Sequence, residues 1–158
     1  MTQTFSGGCQ CGAVRFRVSG ELGRASICHC RMCQKAFGSA FGPFVSVKAE
    51  DFAWTRGAPK RFQSSNKVAR GFCENCGTPL TFDWSERVVE LAIGAFDDPA
   101  SIRPVVQMAT ETALPWVYEL GSLPHRSPEE AAAAKAHYDS VVSYQHPDRD
   151  TAAWLVKR

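Results

Sequence analysis

Gly7-Gly8-Cys9-Gln10-Cys11-Gly12-Ala13-Val14-Arg15-Phe16-Arg17-Val18 sets two thiols among glycines and then runs into a strict alternation. Val14, Phe16 and Val18 fall on one face of an extended chain and Arg15 and Arg17 on the other, which reads as a half-buried strand. The glycines give the chain the freedom to aim both sulfurs at one point. The same grammar recurs twice downstream. Cys73-Glu74-Asn75-Cys76-Gly77 lies between strand candidates at residues 68–72 and 78–82. Cys28-His29-Cys30-Arg31-Met32-Cys33 precedes a short helical turn at residues 34–37 that Gly38 stops.

Outward from these clusters, Val88-Val89-Glu90-Leu91-Ala92-Ile93 carries the strongest buried-strand signal. Residues 41–47 read as a strand in which Gly42-Pro43 argues for an edge or a bulge. Residues 51–55 and 60–62 are short strands with the turn Arg56-Gly57-Ala58-Pro59 between them, and residues 103–109 form the last strand. Ser127-Pro128-Glu129-Glu130 is a capping box with proline at the first helical position. It predicts a helix to about residue 144 with Ala131, Ala134, Tyr138, Val141 and Val142 inward, and a further helical turn is expected at residues 151–156. The fold class expected is mainly β, with twisted antiparallel sheets and a C-terminal helix. Residues 1–126 are expected to form a zinc-binding β domain, with 127–158 a helical extension packed on it.

The 158 residues, 44% of them hydrophobic, suffice for one core. No run of about 18 apolar residues exists, so no membrane span is expected. The first ten residues hold no basic residue and no apolar stretch, so a cleaved leader is not expected and a cytoplasmic protein is. With 18 basic and 16 acidic residues the net charge is +2, which excludes the electrostatic footprint of a nucleic-acid binder.

Seven cysteines cannot all pair as disulfides, and crowding at one- and two-residue gaps points to metal ligation. Zinc takes four ligands in a tetrahedron and favours thiolates. Two pairs close one four-thiolate site and leave three cysteines, the pattern of a zinc with an open fourth position. Spacing alone does not fix the partition. The simplest choice keeps the local trio Cys28, Cys30 and Cys33 together and leaves Cys9, Cys11, Cys73 and Cys76 to the closed site. A single structural zinc, a dithiol redox motif and a zinc ribbon are the alternatives. The redox reading lacks a βαβ setting and the ribbon lacks basic surface. His29 is expected to point away from the metal, and His125, His137 and His146 to lie on the surface.

Three stretches then resemble one family, in order, from about residue 5 to residue 116. They are Gly7-Gly8-Cys9-Gln10-Cys11-Gly12-Ala13-Val14-Arg15-Phe16, Cys28-His29-Cys30-Arg31-Met32-Cys33-Gln34-Lys35, and Phe72-Cys73-Glu74-Asn75-Cys76-Gly77-Thr78-Pro79-Leu80. Together they look like the glutathione-dependent formaldehyde-activating enzymes. The resemblance implies a β-tent fold, a structural zinc on Cys9, Cys11, Cys73 and Cys76, and a catalytic zinc on Cys28, Cys30 and Cys33. It implies the activity of S-(hydroxymethyl)glutathione synthase, a carbon–sulfur lyase. One departure is Gln107, which stands where the family often shows a histidine three residues after a proline.

The function expected is reversible addition of glutathione, or another small thiol, to formaldehyde or a related small aldehyde. The alternative is a non-catalytic zinc protein that binds or carries glutathione or a protein partner. Glutathione's carboxylates call for cations, and Arg31 and Lys35 lie nearest the trio in sequence. Arg61, Lys67 and Arg70 precede the last knuckle and read as solvated surface charges. Trp54, Phe44 and Trp116 are pocket-wall candidates that read more simply as core.

Overall fold

The computed structural model describes residues 3–154. In chain order the strands are β1 (Thr4–Gly8), β2 (Arg15–Ser19), β3 (Ala25–Cys28), β4 (Gly42–Lys48), β5 (Phe52–Arg56), β6 (Lys60–Gln63), β7 (Ala69–Phe72), β8 (Pro79–Asp83), β9 (Val88–Ala92) and β10 (Val106–Met108). The helices α1 (Arg31–Phe37) and α2 (Pro128–Asp139) complete the regular elements used below. β1-β2-β5 make a small sheet, and β10-β3-β4-β9-β8-β7-β6 make a large one.

The alternation of β2 does what its sequence dictates. Phe16 and Val18 are fully buried, and with Val14 they meet Val45 and Val47 of β4, Leu91 of β9 and Leu80 of β8 in one core. Phe16 also stands edge-on to Phe96, with centroids 5.0 Å apart, and to Trp54, at 6.2 Å. Trp54 is thus partly buried against this core and does not line the cavity beside the cysteine trio. The core lies between the two sheets, so only one face of the large sheet is used up by packing.

The mainly β architecture expected from the sequence is found, with three corrections. The sheets are not wholly antiparallel, because β10 runs parallel to β3 and is only three residues long. β4 is an interior strand rather than an edge. Pro43 is tolerated because pairing with β9 starts at Phe44, leaving proline's missing N–H on a stretch paired only to β3. The Arg56–Pro59 turn lies between β5 and β6 as expected, and because β5 pairs with β2 and β6 with β7 it carries the chain from one sheet to the other. α2 has the expected capping box but ends at Asp139 and buries no residue. Its supposed inner face is open, with Tyr138 56%, Val141 60% and Val142 69% exposed.

The extension returns to the β domain by another route. In residues 145–154 the His146 N–H donates to the Gln10 carbonyl at 2.7 Å, and Trp154 Nε1 donates to the Cys11 carbonyl at 2.9 Å. Asp150 receives Arg15 at 2.8 Å and Arg17 at 3.1 Å. His146, expected on the surface, is 3% exposed, because its ring and Trp154 fill the space over Gly12 that any side chain there would occupy. The helical turn expected at 151–156 is absent over residues 151–154, and Leu155 and Val156 lie outside the described residues.

Candidate metal centre

Cys9 and Cys11 sit in the turn that joins β1 to β2, and Cys73 and Cys76 in the turn that joins β7 to β8. The first turn closes when the Cys9 amide donates to Val14 O at 2.9 Å and the Gly12 amide to Cys9 O at 3.0 Å. The second closes when the Gly77 amide donates to Cys73 O at 2.8 Å, with Gly77 at φ 76°, where a side chain would be strained. One hairpin belongs to each sheet, so the four-cysteine cluster joins the two sheets at their tips. All four Sγ atoms lie within 4.8 Å of one another. Cys9 Sγ is 3.6 Å from Cys11 Sγ, which is 3.7 Å from Cys73 Sγ. A tetrahedron with Zn–S bonds of about 2.3 Å has edges of about 3.8 Å, so the donor set has the size that zinc needs. Backbone and hydroxyl groups already face the sulfurs: the Val14 amide reaches Cys9 Sγ at 3.3 Å, and Thr78 Oγ1 lies 3.2 Å from Cys76 Sγ.

The second cluster is built locally. β3 ends at Cys28, Cys30 caps α1 and Cys33 lies in its first turn. The helix begins at Arg31, three residues earlier than expected, and stops at Gly38 as expected. That early start folds the thiols together. The Cys33 amide donates to Cys30 Sγ at 3.4 Å, and the three Sγ atoms lie within 4.8 Å. Three protein donors leave one tetrahedral position for another ligand.

Burial pushes five of the seven thiols up from their ordinary value: Cys9, Cys11, Cys28, Cys33 to about 12 and Cys73 to about 11. Cys76 and Cys30 go down against the pull of burial. Cys76 falls to about 6 because the Thr78 hydroxyl and neighbouring amides donate to it, and the Cys33 amide does the same for Cys30. Sulfurs this close and this buried can all ionise only with a cation among them. The residues present therefore fit a pair of thiolate-bound ions.

Beside the trio lies a cavity of about 350 Å³ bordered by Cys28 and Cys33. It occupies the face of the large sheet that the core leaves free, and the register explains its lining. Val106, Ser26 and Phe44 form one cross-strand row, and Phe82, Glu90 and Ser46 a second. Trp84, Met108 and Arg24 complete the wall. Glu90 is half-buried and accepts from Ser46 Oγ at 2.8 Å.

Phe44 thus does wall the cavity, whereas Trp116 lines a separate groove beside α1. Arg31 and Lys35 also face grooves beside α1, not the cavity, and Arg31 donates to Gln34 Oε1 at 2.9 Å. Gln107 falls on the opposite side of β10 from Val106 and Met108. His29 Nε2 lies 2.8 Å from its Oε1, so His29 points away from the trio as expected. Arg70 corrects its surface reading: it is 7% exposed and reaches Cys33 Sγ at 3.4 Å. Glu90 and Arg24 were missed in the sequence. The signal for Glu90 was a lone carboxylate inside the most apolar strand.

Residues 4–112 match the family described as glutathione-dependent formaldehyde-activating enzyme, well over half of the chain. This chain belongs to that family. A Schizosaccharomyces pombe protein described as an uncharacterized lyase is 31% identical over 81 residues, which span 51% of this chain and 58% of that relative. A crystal structure of a Rhodobacter sphaeroides protein is 21% identical, with a TM-score of 0.53 over 65% of this chain and 99% of that one. That likeness shows the fold. The family match stops at residue 112, short of α2 and of the returning segment.

Proposed function

We propose that this chain binds two zinc ions and adds glutathione, or another small thiol, reversibly to formaldehyde or a related small aldehyde, as a carbon–sulfur lyase. The observation that carries the reading is the opening of a three-thiolate cluster onto a cavity of about 350 Å³. Cys9, Cys11, Cys73 and Cys76 hold the structural ion, and Cys28, Cys30 and Cys33 the catalytic one. When bound at the trio, the ion supplies Lewis acidity and favours the thiolate form of a sulfur at its open position.

The chain's own residues supply the rest. The sheet floor and the aromatic wall of Phe44, Phe82 and Trp84 hold the reactants together. As the substrate sulfur bonds to the carbonyl carbon, the carbonyl π pair moves to oxygen, which needs a proton. Glu90 is the lone carboxyl among the cavity-lining residues and passes that proton in, taking it back in the reverse direction. Arg24, at the rim, is placed to meet a carboxylate of the thiol. Arg31 and Lys35 remain candidates for the outer part of a long thiol only.

The test is exchange NMR at equilibrium on the zinc-loaded protein with glutathione and labelled formaldehyde, against the uncatalysed exchange. Faster interconversion that Cys33→Ser abolishes is the expected result. Exchange at the uncatalysed rate, with glutathione bound, would replace the lyase by a binding protein.

A further inference from the structure

Arg70 stands on β7, three residues before the Cys73 knuckle, yet its side chain turns to the other cluster. Its Nη2 donates to Cys33 Sγ at 3.4 Å, its Nε donates to Ser64 Oγ at 3.0 Å, and its guanidinium lies 4.9 Å from the centroid of Phe82. Among the described residues it makes no ion pair with a carboxylate. A guanidinium does not give up its proton and is costly to bury without a counter-charge. The sulfur cluster is the anion within its reach.

The charges then balance in an instructive way. Three thiolates around a divalent ion leave one net negative charge, and four leave two. The four-cysteine cluster is met by amides and the Thr78 hydroxyl, none of them charged. The trio is met by a full positive charge.

We infer that Arg70 is the resident counter-charge of the three-cysteine site, a positioning residue that neutralises the trio with its ion and so lets the open position accept a further anion, such as a thiolate. The inference rests on the two-ion reading above. It also ties the two clusters together, because the strand that carries Arg70 leads directly into the closed site. Phe82, which also lines the cavity, packs its ring against the guanidinium, so its direction is set by packing as well as by Ser64.

Zinc affinity, read by competition with a chromophoric chelator, tests it on the intact chain. In Arg70→Gln one of two ions should be released about 10- to 100-fold more readily, the usual effect of losing an outer partner of a metal ligand, while the other keeps its affinity. Cobalt loading should shift the sulfur-to-metal charge-transfer band of that same site. Arg70→Lys, which keeps the charge, should restore most of the affinity. Equal affinity in Arg70→Gln and the parent overturns the inference, as does equal weakening of both ions or a lysine variant no better than glutamine. Should Arg70→Gln not fold, Arg70→Lys decides alone: near-parent affinity supports the counter-charge, and loss of one ion refutes it. A parent that binds only one ion would instead refute the two-ion reading itself.

Discussion

Glu90 occupies a place where a β-strand rarely spends a carboxylate. Leu91 and Ala92 beside it are buried, and Val88 and Val89 partly so. Its register partners are Ser46 on one side and Phe82 on the other. One oxygen takes the Ser46 hydroxyl and lies 3.5 Å from Trp84 Nε1. Such a site makes sense if the carboxyl faces a substrate. Glu90→Gln keeps the shape and both donors satisfied, so it should melt like the parent while slowing thiol–aldehyde exchange by about 10²-fold or more, the scale of a lost general acid–base. Unchanged exchange would remove Glu90 from the mechanism. The trio's clustering was readable, because its three cysteines lie within six consecutive residues, although spacing alone left the partition open. Arg70 was not: its hairpin sets Phe82 opposite it, but its burial also depends on Cys33, 37 residues away in sequence.

Between residues and fold, the segment 145–154 behaves as a strap on the first knuckle. It lies over Gln10, Cys11 and Gly12 and is fastened by Asp150 to Arg15, which also holds Asp97 at 2.7 Å. The hydrogen bonds from Arg15, more than any other cause, hold the Asp150 carboxyl below its ordinary value. A folded value below the unfolded one means stability present above the unfolded value of about 3.8 and lost as pH falls through the folded one. Asp150→Asn should therefore lower the melting temperature at pH 7 by about 2–4 °C, since a partly exposed pair contributes at most about 1 kcal/mol. The gap between parent and variant should close as the pH is taken below about 3.8. Acid release of metal affects both proteins alike, so a gap that persists at low pH would show that Asp150 acts other than through its charge. The elements were legible in proportion to their alternation. β2 and β9 declare themselves. β1 (Thr-Phe-Ser-Gly-Gly) and β3 (Ala-Ser-Ile-Cys) do not, since their small and polar residues serve a knuckle and a cavity rather than a core. The strap has no periodic pattern at all, being held by backbone carbonyls, by Asp150 and by Arg56, which donates to the Thr151 carbonyl and hydroxyl. The capping box located the start of α2, but its expected end rested on Val141 and Val142 continuing an apolar face, and both stand exposed beyond Asp139.

For the whole molecule, the two clusters divide labour by where their ligands come from. The trio draws on residues 28–33, six consecutive positions, so losing its ion leaves β3 and α1 still anchored by the sheet and by Gln34, whose side chain donates to the His29 and Thr112 carbonyls at 2.8 and 3.0 Å. The four-cysteine cluster draws on hairpins 62 residues and more apart in sequence and joins the two sheets that enclose the core. An ion bound there would be held only in the folded arrangement, so its binding energy would be folding energy. Stepwise chelation should then give two phases. One ion leaves first with the melting curve little changed and the thiol–aldehyde exchange lost; the second leaves with the near-ultraviolet circular dichroism of Phe16, Trp54 and their neighbours. Cys33→Ser should mimic the first phase, and Cys73→Ser the second, with a loss of several kcal/mol, as for removing a structural metal site. Both ions leaving in one step with the fold would mean that the trio is as structural as its neighbour, and that Cys33 and Cys73 are equivalent parts of a single framework.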